Sequence, residues 1–356
     1  MTDEPLGSHV LELELADVVD ETADARSLVF TVPAGTEDPA VAAKLAYTPG
    51  QFLTLRVPSD RTGSVARCYS LSSSPHTDDR LTVTVKRTDG GYASHWLCDN
   101  AHAGMRMHVL APSGTFTPNN LDADFLLLAA GSGVTPMMAI LKSALSEGSG
   151  RVTLVYANRD ETSVIFAAAL RDLAAKHPDR LSVVHWLESV QGLPNAVALG
   201  GLIAPYAGRE AFICGPGPFM AAAEESLKAA GAAPENIHIE VFKSLESDPF
   251  AAVVIAEDDD DSDHGPATAV VTLDGETHEV RWPRTATLLD VLLDKGLDAP
   301  FSCREGHCGA CAVLKKSGEV DMHVNDVLEQ SDLDEGLILA CQSHPTSDSV
   351  EVTYDE

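Results

Sequence analysis

Four cysteines near the carboxyl end of the chain have a spacing that can hold a metal cluster. Cys303, Cys308 and Cys311 form a C-x4-C-x2-C segment, and Cys341 follows after the 29 residues 312–340. A two-iron cluster of the plant type takes three thiolates from one tight loop and the fourth from a distant part of the chain. This spacing predicts a [2Fe–2S] cluster on these four cysteines.

Two other metal sites use some of the same residues. A structural zinc site accepts Cys308 and Cys311 but usually needs a second close pair, which the other two cysteines do not form. A Rieske centre replaces two cysteines by histidines, and His307 and His344 lie nearby. Because four cysteines are present, no histidine is required, and the two-iron cluster is the preferred interpretation.

The elements before these cysteines fall into two patterns. The first stretch has short β-rich segments separated by Gly and Pro turns, which predicts an antiparallel barrel ending near residue 116. The second begins with the continuous apolar run FLLLAA (125–130) and then alternates strands with helices, which predicts a parallel sheet. Its predicted strands are 125–130, 152–156, 181–186, 211–214 and 237–241.

Arg67, Tyr69 and Ser70 lie in a segment, RCYSLSS, that we place in a loop between two barrel strands. Arginine neutralises a pyrophosphate, a tyrosine ring stacks on a flat ring system, and a serine hydroxyl donates a hydrogen bond. These are the requirements of a flavin, although an ordinary polar turn has the same composition. Further on, Gly91 precedes a predicted helix that begins at Ser94. The free N–H groups at the start of this helix suit a phosphate. The alternative is a hairpin turn in which the serine is an N-cap.

Two glycine-rich segments follow strands of the predicted parallel sheet. The first contains Gly131, Gly133 and Thr135, with Thr135 as the predicted N-cap and proline at the first helical position. The second is CGPGPFM, from Cys214 through Gly215 and Pro216. Both must open at the carboxyl edge of the sheet, where dinucleotides bind, because both follow parallel strands. Glycine at these positions lets the backbone approach the ligand closely.

The bulk composition limits the remaining possibilities. The formal net charge of −30 argues against nucleic acid and anionic membranes as partners. No apolar stretch is long enough for a membrane span and no signal sequence is evident, so we expect a cytoplasmic protein. An acidic run at 257–261 suggests a linker. The expected division is 1–120 barrel, 121–246 nucleotide domain, 247–266 linker and 267–356 cluster domain.

Together these motifs resemble the ferredoxin–NADP reductase superfamily with a C-terminal plant-type ferredoxin domain. The R-x-Y-S, G-S-G-x-T-P and C-G-P-x-x-M motifs of that superfamily match 67–70, 131–136 and 214–220. The resemblance covers nearly the whole chain. It implies a multi-domain α/β plus β fold: an antiparallel flavin-binding β-barrel, a parallel α/β nucleotide-binding domain and a β-grasp ferredoxin domain.

The resemblance also implies site residues. Arg67 and Lys86 would lie near flavin phosphate or ribose, Tyr69 on the isoalloxazine and Ser70 near its N5. Gly91 and Ser94 would lie at the pyrophosphate. The hydride-transfer face would be lined by Thr135, Cys214 and Glu240, and the implied cofactors are FAD, the [2Fe–2S] cluster and NADH.

Longer segments, including YASHWLCD (92–99) and APFSCREGHCGAC (299–311), are similar to reductases of 3-ketosteroid 9α-hydroxylase systems. The implied partner is a terminal Rieske non-haem iron oxygenase. A reductase of another oxygenase, such as the phenylacetyl-CoA epoxidase type, and a non-catalytic electron carrier or redox sensor stay as alternatives. NADPH is a second coenzyme candidate, because Arg159 follows a strand where a 2′-phosphate could be recognised.

Overall fold

The structure is a computed structural model that describes residues 6–7, 9–36, 39–253, 255 and 265–355. Its strands form three large sheets, one in each of the predicted barrel, nucleotide and cluster regions. The limits of the predicted domains stay a prediction, and the acidic run at 257–261 lies outside the described residues. Within the described ranges, no helix combines the length and apolar character needed to cross a bilayer.

The first sheet is a closed antiparallel barrel. Among the described residues its strands are β1 (Leu11–Thr22), β2 (Ala25–Thr31), β3 (Phe52–Ser59), β4 (Gly63–Ser70), β5 (Thr82–Lys86) and β6 (Arg106–Val109). Their order is β4-β3-β6-β1-β2-β5, and a bridge between Leu71 and Val83 joins the two ends. Alternate residues such as Leu13, Leu53 and Val109 fill the interior without exposure to solvent. Two helices accompany it, α1 (Pro39–Lys44) and α2 (Tyr92–Asn100).

The sequence analysis missed β4 and β6. Arg67 to Ser70, which we placed in a loop, form the last part of β4, so that prediction was wrong. The strand shows no clean apolar alternation because its side chains are mostly half-buried. It is held by pairing with β3, where Leu55 faces Arg67 and Phe52 faces Ser70.

The second sheet is entirely parallel, in the order β11-β10-β7-β8-β9. Its strands are β7 (Phe125–Ala130), β8 (Val152–Asn158), β9 (Leu181–Leu187), β10 (Glu210–Cys214) and β11 (Ile237–Glu240). The helices are α3 (Val134–Glu147), α4 (Ala167–Lys176), α5 (Glu188–Gln191), α6 (Ala196–Ile203) and α7 (Gly217–Ala229). All residues of β7 are buried, which explains its uninterrupted apolar sequence.

The third sheet is mixed and begins with a tight hairpin. Asp274 and Gly275 both have positive φ, as a two-residue type I′ turn requires. The elements are β12 (Ala267–Leu273), β13 (Glu276–Trp282), α8 (Leu288–Asp294), β14 (Ala312–Ser317), β15 (Val320–Met322), α9 (Gln330–Glu335), β16 (Leu337–Leu339), β17 (Ser343–Pro345) and β18 (Ser349–Thr353). The sheet order is β13-β12-β18-β14-β16, and β15 pairs separately with β17.

The cluster domain packs against the rest of the chain. Its buried core includes Ala66 and Leu110 from the barrel, together with Leu245 and Phe250 from the segment that leaves the nucleotide sheet. Glu305 accepts hydrogen bonds from the backbone N–H groups of Glu246 and Ser247 at 2.8 and 2.7 Å. Both apolar and polar contacts therefore fix the cysteine loop against the other two sheets.

Candidate functional site

The structure brings the four predicted cluster cysteines together. Cys303, Cys308 and Cys311 lie in the loop after α8, and Cys341 follows β16. The thiol of Cys303 is within hydrogen-bonding contact of Cys308 and Cys341, and Cys311 contacts Cys341. Three of them are almost fully buried, and Cys308 is half-buried.

The residues of this loop fit a two-iron cluster. Over the described residues, no three or more His, Cys, Asp or Glu side chains form a group that could hold a metal ion by themselves. Instead, the four thiols form one connected series of contacts, from Cys308 through Cys303 and Cys341 to Cys311, and together they supply the four thiolates that a [2Fe–2S] cluster takes. The backbone N–H groups of Glu305 and His307 point at the Cys303 sulfur, at 3.3 and 3.4 Å. Contacts with Cys308 and Cys341, followed by these N–H groups, lower the pKa of the Cys303 thiol.

Glycines shape the cysteine loop. Gly306 and Gly309 have φ of 76° and 70°, in the left-handed region that favours glycine. A Cβ on Gly309 would lie 2.8 Å from the methyl group of Thr115, so the loop approaches the barrel at this point. The cluster cysteines are therefore held close to the barrel.

A cavity of about 310 Å³ lies where the barrel, the nucleotide sheet and the cysteine loop meet. Ser70 contributes from the barrel and Glu240 from the end of β11. Its other walls include Phe52, Cys68, Phe116, His238, Phe242, Lys243, Cys303, His307, Cys308 and Asp326. Residues that are remote in sequence thus surround one space next to the cluster loop.

The predicted flavin residues on β4 divide between its two faces. Cys68 and Ser70 line the cavity, whereas Tyr69 packs against the barrel core and is not part of that wall. Arg67 donates hydrogen bonds to the carbonyl oxygens of Ala66 and Leu245, at 2.6 and 3.0 Å. The stacking of Tyr69 on a flavin ring stays a prediction.

The start of α2 faces a second cavity, of about 830 Å³. Gly91 is the N-cap, so the alternative in which Ser94 caps the helix is wrong. Ser94 lies inside the helix, donates to the carbonyl oxygen of Gly91 and accepts from the Thr88 N–H. The cavity provides room beside a helix N-terminus, where an anionic diphosphate is favourable.

The two glycine-rich strand exits touch each other, as their shared sheet edge requires. A Cβ on Gly133 would lie 2.1 Å from the carbonyl oxygen of Cys214. Residues Gly131–Gly133 form a 3₁₀ turn and α3 begins at Val134, so the prediction of Thr135 as N-cap was wrong. The Thr135 hydroxyl donates instead to the Ser132 carbonyl oxygen at 3.0 Å. Gly215 and Pro216 lead directly into α7.

Lys86 lies next to the nucleotide exit. The Lys86 ammonium is 4.0 Å from the carboxylate of Asp24. A Cβ on Gly131 would lie 3.6 Å from the same ammonium. The Arg159 guanidinium pairs with the same carboxylate at 2.6 Å. Asp24 therefore joins one cation from the barrel and one from the nucleotide sheet.

Burial sets the protonation of Glu240, which lines the cavity, and of Cys214, which lies beside Glu240 on the neighbouring strand. Desolvation raises the pKa of Glu240 to about 7. Burial, and then the nearby Glu240 carboxylate, raises the pKa of the Cys214 thiol. At neutral pH, Cys214 therefore stays protonated and Glu240 lies near its midpoint.

The sequence analysis missed several residues of the cavity wall. Val241 and Phe242 expose 50% and 47% of their surface, which is unusual for side chains of this size. His238 stacks on Phe212 with 4.5 Å between ring centroids. The only sequence signal was their closeness to Glu240, because their positions depend on the packing of three sheets.

Comparisons with known proteins agree with this organisation. Family models match an oxidoreductase FAD-binding domain at 12–117, an oxidoreductase NAD-binding domain at 127–225 and a 2Fe-2S iron-sulfur cluster binding domain at 271–346. The phthalate dioxygenase reductase structure has the same fold, with a TM-score of 0.56, 24% identity and 97% and 98% coverage of the two chains. The chain is thus an oxidoreductase of the class that combines FAD, NAD and [2Fe–2S] domains.

Two curated relatives narrow the class. The chain is 80% identical, over all of both chains, to "3-ketosteroid-9-alpha-monooxygenase, ferredoxin reductase component" of Mycolicibacterium smegmatis. It is 33% identical to one component of the 1,2-phenylacetyl-CoA epoxidase of Escherichia coli, over 96% of this chain and 97% of that one. The chain belongs to the family of 3-ketosteroid-9-alpha-monooxygenase ferredoxin reductase components. The predicted superfamily and fold class are confirmed, as are the FAD, nicotinamide dinucleotide and [2Fe–2S] cofactors, whereas the choice of NADH over NADPH stays a prediction.

Proposed function

We propose that this chain oxidises NADH and passes the electrons singly to the oxygenase component of a 3-ketosteroid 9α-monooxygenase. The observation that carries the proposal is one cavity whose wall contains Ser70 of the barrel, Glu240 of the nucleotide sheet, and Cys303 and Cys308 of the cluster loop. A flavin held at this wall would supply the chemistry that links the two partners, since flavins accept two electrons as hydride and give them up one at a time, as a one-electron cluster requires.

The side chains have separate tasks in this proposal. Cys303, Cys308, Cys311 and Cys341 ligate the cluster. Ser70 offers its hydroxyl at the cavity wall. Glu240 can take up or release a proton near neutral pH, because desolvation raises its pKa to about 7. The remaining flavin-binding and nucleotide-binding positions are Arg67, Tyr69, Lys86, Gly91, Ser94, Gly131, Gly133, Thr135, Cys214, Gly215 and Pro216.

NADH is the proposed coenzyme. Arg159 is already paired with Asp24, and Lys86 lies near the same carboxylate. A 2′-phosphate approaching this pair of cations would meet the negative charge of Asp24. The arrangement therefore favours a dinucleotide without that phosphate.

The proposed acceptor is an oxygenase of the Rieske non-haem iron type, which itself binds the steroid. The 80% identity to the M. smegmatis reductase component supports the steroid system, whereas the identity to the epoxidase component is 33%. The proposal places the protein in the cytoplasm, where NADH is available.

The experiment is anaerobic titration of the purified protein with NADH, followed by visible absorbance and EPR. Flavin bleaching together with a one-electron cluster signal is the expected result. If neither NADH nor NADPH reduces the flavin and the cluster, the reductase proposal is wrong, and an electron carrier or redox sensor becomes the better interpretation. Mixing with a purified steroid oxygenase then tests the acceptor, with a phenylacetyl-CoA epoxidase as the comparison. Equal electron transfer to both would remove the steroid assignment.

A further inference from the structure

A buried hydroxyl contact joins the flavin barrel to the cluster loop. The Thr54 Oγ1 on β3 lies 2.6 Å from the Ser302 Oγ, and Ser302 is the residue immediately before Cys303. Thr54 has no exposed surface and Ser302 is 1% exposed. Two residues separated by 248 positions in the chain therefore share a hydrogen bond away from solvent.

The same hydroxyl reaches the predicted flavin segment. Thr54 lies opposite Cys68 in the register of β3 and β4, and its Oγ1 is 3.3 Å from the Cys68 Sγ. Cys68 lines the cavity and stands between Arg67 and Tyr69. A continuous series of polar contacts thus runs from the cavity wall through Thr54 to the residue beside a cluster cysteine.

Apolar packing alone does not require these hydroxyls. Both side chains sit where the barrel wall meets the cluster-domain core, which contains Ala66 and Leu110. Burying a hydroxyl without a hydrogen-bond partner costs free energy. The Thr54 and Ser302 hydroxyls avoid this cost only when the barrel and the cluster domain are packed so that the two groups meet. The contact therefore specifies one position of the cluster loop against β3 and β4.

We propose that Thr54 and Ser302, with Cys68 as the third member, are positioning residues that hold the cluster at its transfer distance from the flavin. This inference rests on the proposed function. Each NADH would give up one hydride, which is two electrons and a proton, and become NAD⁺, and the flavin would then pass the two electrons to the cluster in two single steps. The contact acts on these steps and not on hydride transfer from NADH, because it lies on the cluster side of the cavity.

The test compares Thr54→Val, which removes the hydroxyl and keeps the shape, with Thr54→Ser, which keeps the hydroxyl. Ser302→Ala removes the other partner. Ser143→Ala is the matched control, because Ser143 and Ser74 form a buried hydroxyl pair at 2.8 Å that joins the barrel to the nucleotide domain. Each holoprotein is mixed with NADH without oxygen, and flavin bleaching and cluster reduction are followed separately.

In Thr54→Val and Ser302→Ala we expect unchanged flavin bleaching and about tenfold slower cluster reduction, the order expected for loss of one buried hydrogen bond. Amide hydrogen exchange across 302–308 should rise about tenfold for the same reason. Thr54→Ser should behave as the wild type, and Ser143→Ala should change neither the cluster step nor exchange in this loop.

Wild-type cluster reduction and exchange in Thr54→Val would overturn the proposal. A loss in Thr54→Ser as large as in Thr54→Val would also overturn it, because packing would then be the cause. If Ser302→Ala fails to assemble a cluster, Thr54→Val decides alone. If NADH fails to bleach the wild-type flavin, the proposed function falls, while the exchange measurement, which needs no NADH, still decides whether the contact holds the loop.

Discussion

Cys214 and Glu240 lie side by side at the last register position of the parallel strands β10 and β11. Both side chains are largely shielded from solvent at the carboxyl edge of the sheet, and burial raises the pKa of each. The pair brings a thiol and a titratable carboxyl group to the edge that also contains Gly133. Protonation of Glu240 therefore changes the charge of the cavity near neutral pH.

We expect NADH-driven flavin reduction to slow as the pH rises through about 7, the pKa of Glu240. Below this pKa the group is neutral, and above it the carboxylate opposes the negative charge that arrives with hydride. The rate should fall about tenfold, as for one charge about 10 Å away in an effective dielectric of about 20. Stopped-flow bleaching between about pH 5 and 9 measures the profile.

Glu240→Gln should flatten this profile, whereas Glu235→Gln, at an exposed position after α7, should leave it unchanged. The pKa of Glu240 is about 7 in the folded chain and 4.5 ordinarily. The free energy of unfolding of the wild type should therefore decline as the pH rises from 4.5 to about 7, because the unfolded chain loses this proton first. Urea unfolding should show no such decline in Glu240→Gln. A wild-type midpoint that persists in this variant would assign the titration to another group.

Cys341→Ser should prevent assembly of the [2Fe–2S] cluster but leave flavin bleaching by NADH. The fourth thiolate comes from beyond β16, and a serine oxygen is a poor substitute for it. Cluster absorbance, iron content and EPR measure the loss. Cys98→Ala is the control, because Cys98 is buried in the barrel and contacts the Val85 carbonyl oxygen. A full cluster in Cys341→Ser would exclude Cys341 as a ligand.

Asp24→Asn should raise the use of NADPH relative to NADH by about tenfold, the effect of about 1.4 kcal/mol. Burial raises the pKa of Asp24, but the Thr22 hydroxyl, Lys86 and Arg159 together outweigh it and leave the pKa below its usual value. Asp24 is therefore an anion beside both cations at neutral pH. The ratio of kcat/KM for the two coenzymes is the measurement.

The double variant Asp24→Asn with Arg159→Ala should lose the gain for NADPH, because the released guanidinium is then absent. A gain of equal size without Arg159 would show that the guanidinium is not responsible. An unchanged ratio in Asp24→Asn would remove Asp24 from coenzyme selection.

Gly133→Ala should destabilise the nucleotide domain by about 2 kcal/mol and weaken NADH binding, because the added methyl group overpacks the strand exit. Its Cβ would lie 2.1 Å from the Cys214 carbonyl oxygen, a backbone atom that cannot move freely. Gly201→Ala in α6 is the control, since a Cβ there meets no atom within 4 Å. This change should stabilise the helix by about 0.5–1 kcal/mol.

Thermal unfolding and NADH titration measure both glycine variants. Equal stability of Gly133→Ala and the wild type would mean that the two strand exits separate easily. The Gly201→Ala result shows whether a methyl group is tolerated when space is present.

Local signals predicted individual elements well where one physical cause dominated. The run FLLLAA became β7 with the predicted bounds because a strand buried on both faces needs no polar residue. The Asp274-Gly275 dipeptide forms the tight hairpin turn that an Asp-Gly pair favours, because both positions adopt positive φ. In contrast, β4 was missed because its stability comes from pairing with β3.

The cofactor classes could be read from the amino-acid sequence, because the cysteine spacing and the glycine-rich strand exits reflect local geometry that each ligand demands. The order of barrel, parallel sheet and cluster domain could be read from it as well. The folded chain was needed to learn that Thr54 meets Ser302, that Asp24 pairs with Arg159, and that Ser70, Glu240 and Cys303 surround one cavity. These contacts depend on how three separate sheets pack, and local sequence patterns carry no record of that packing.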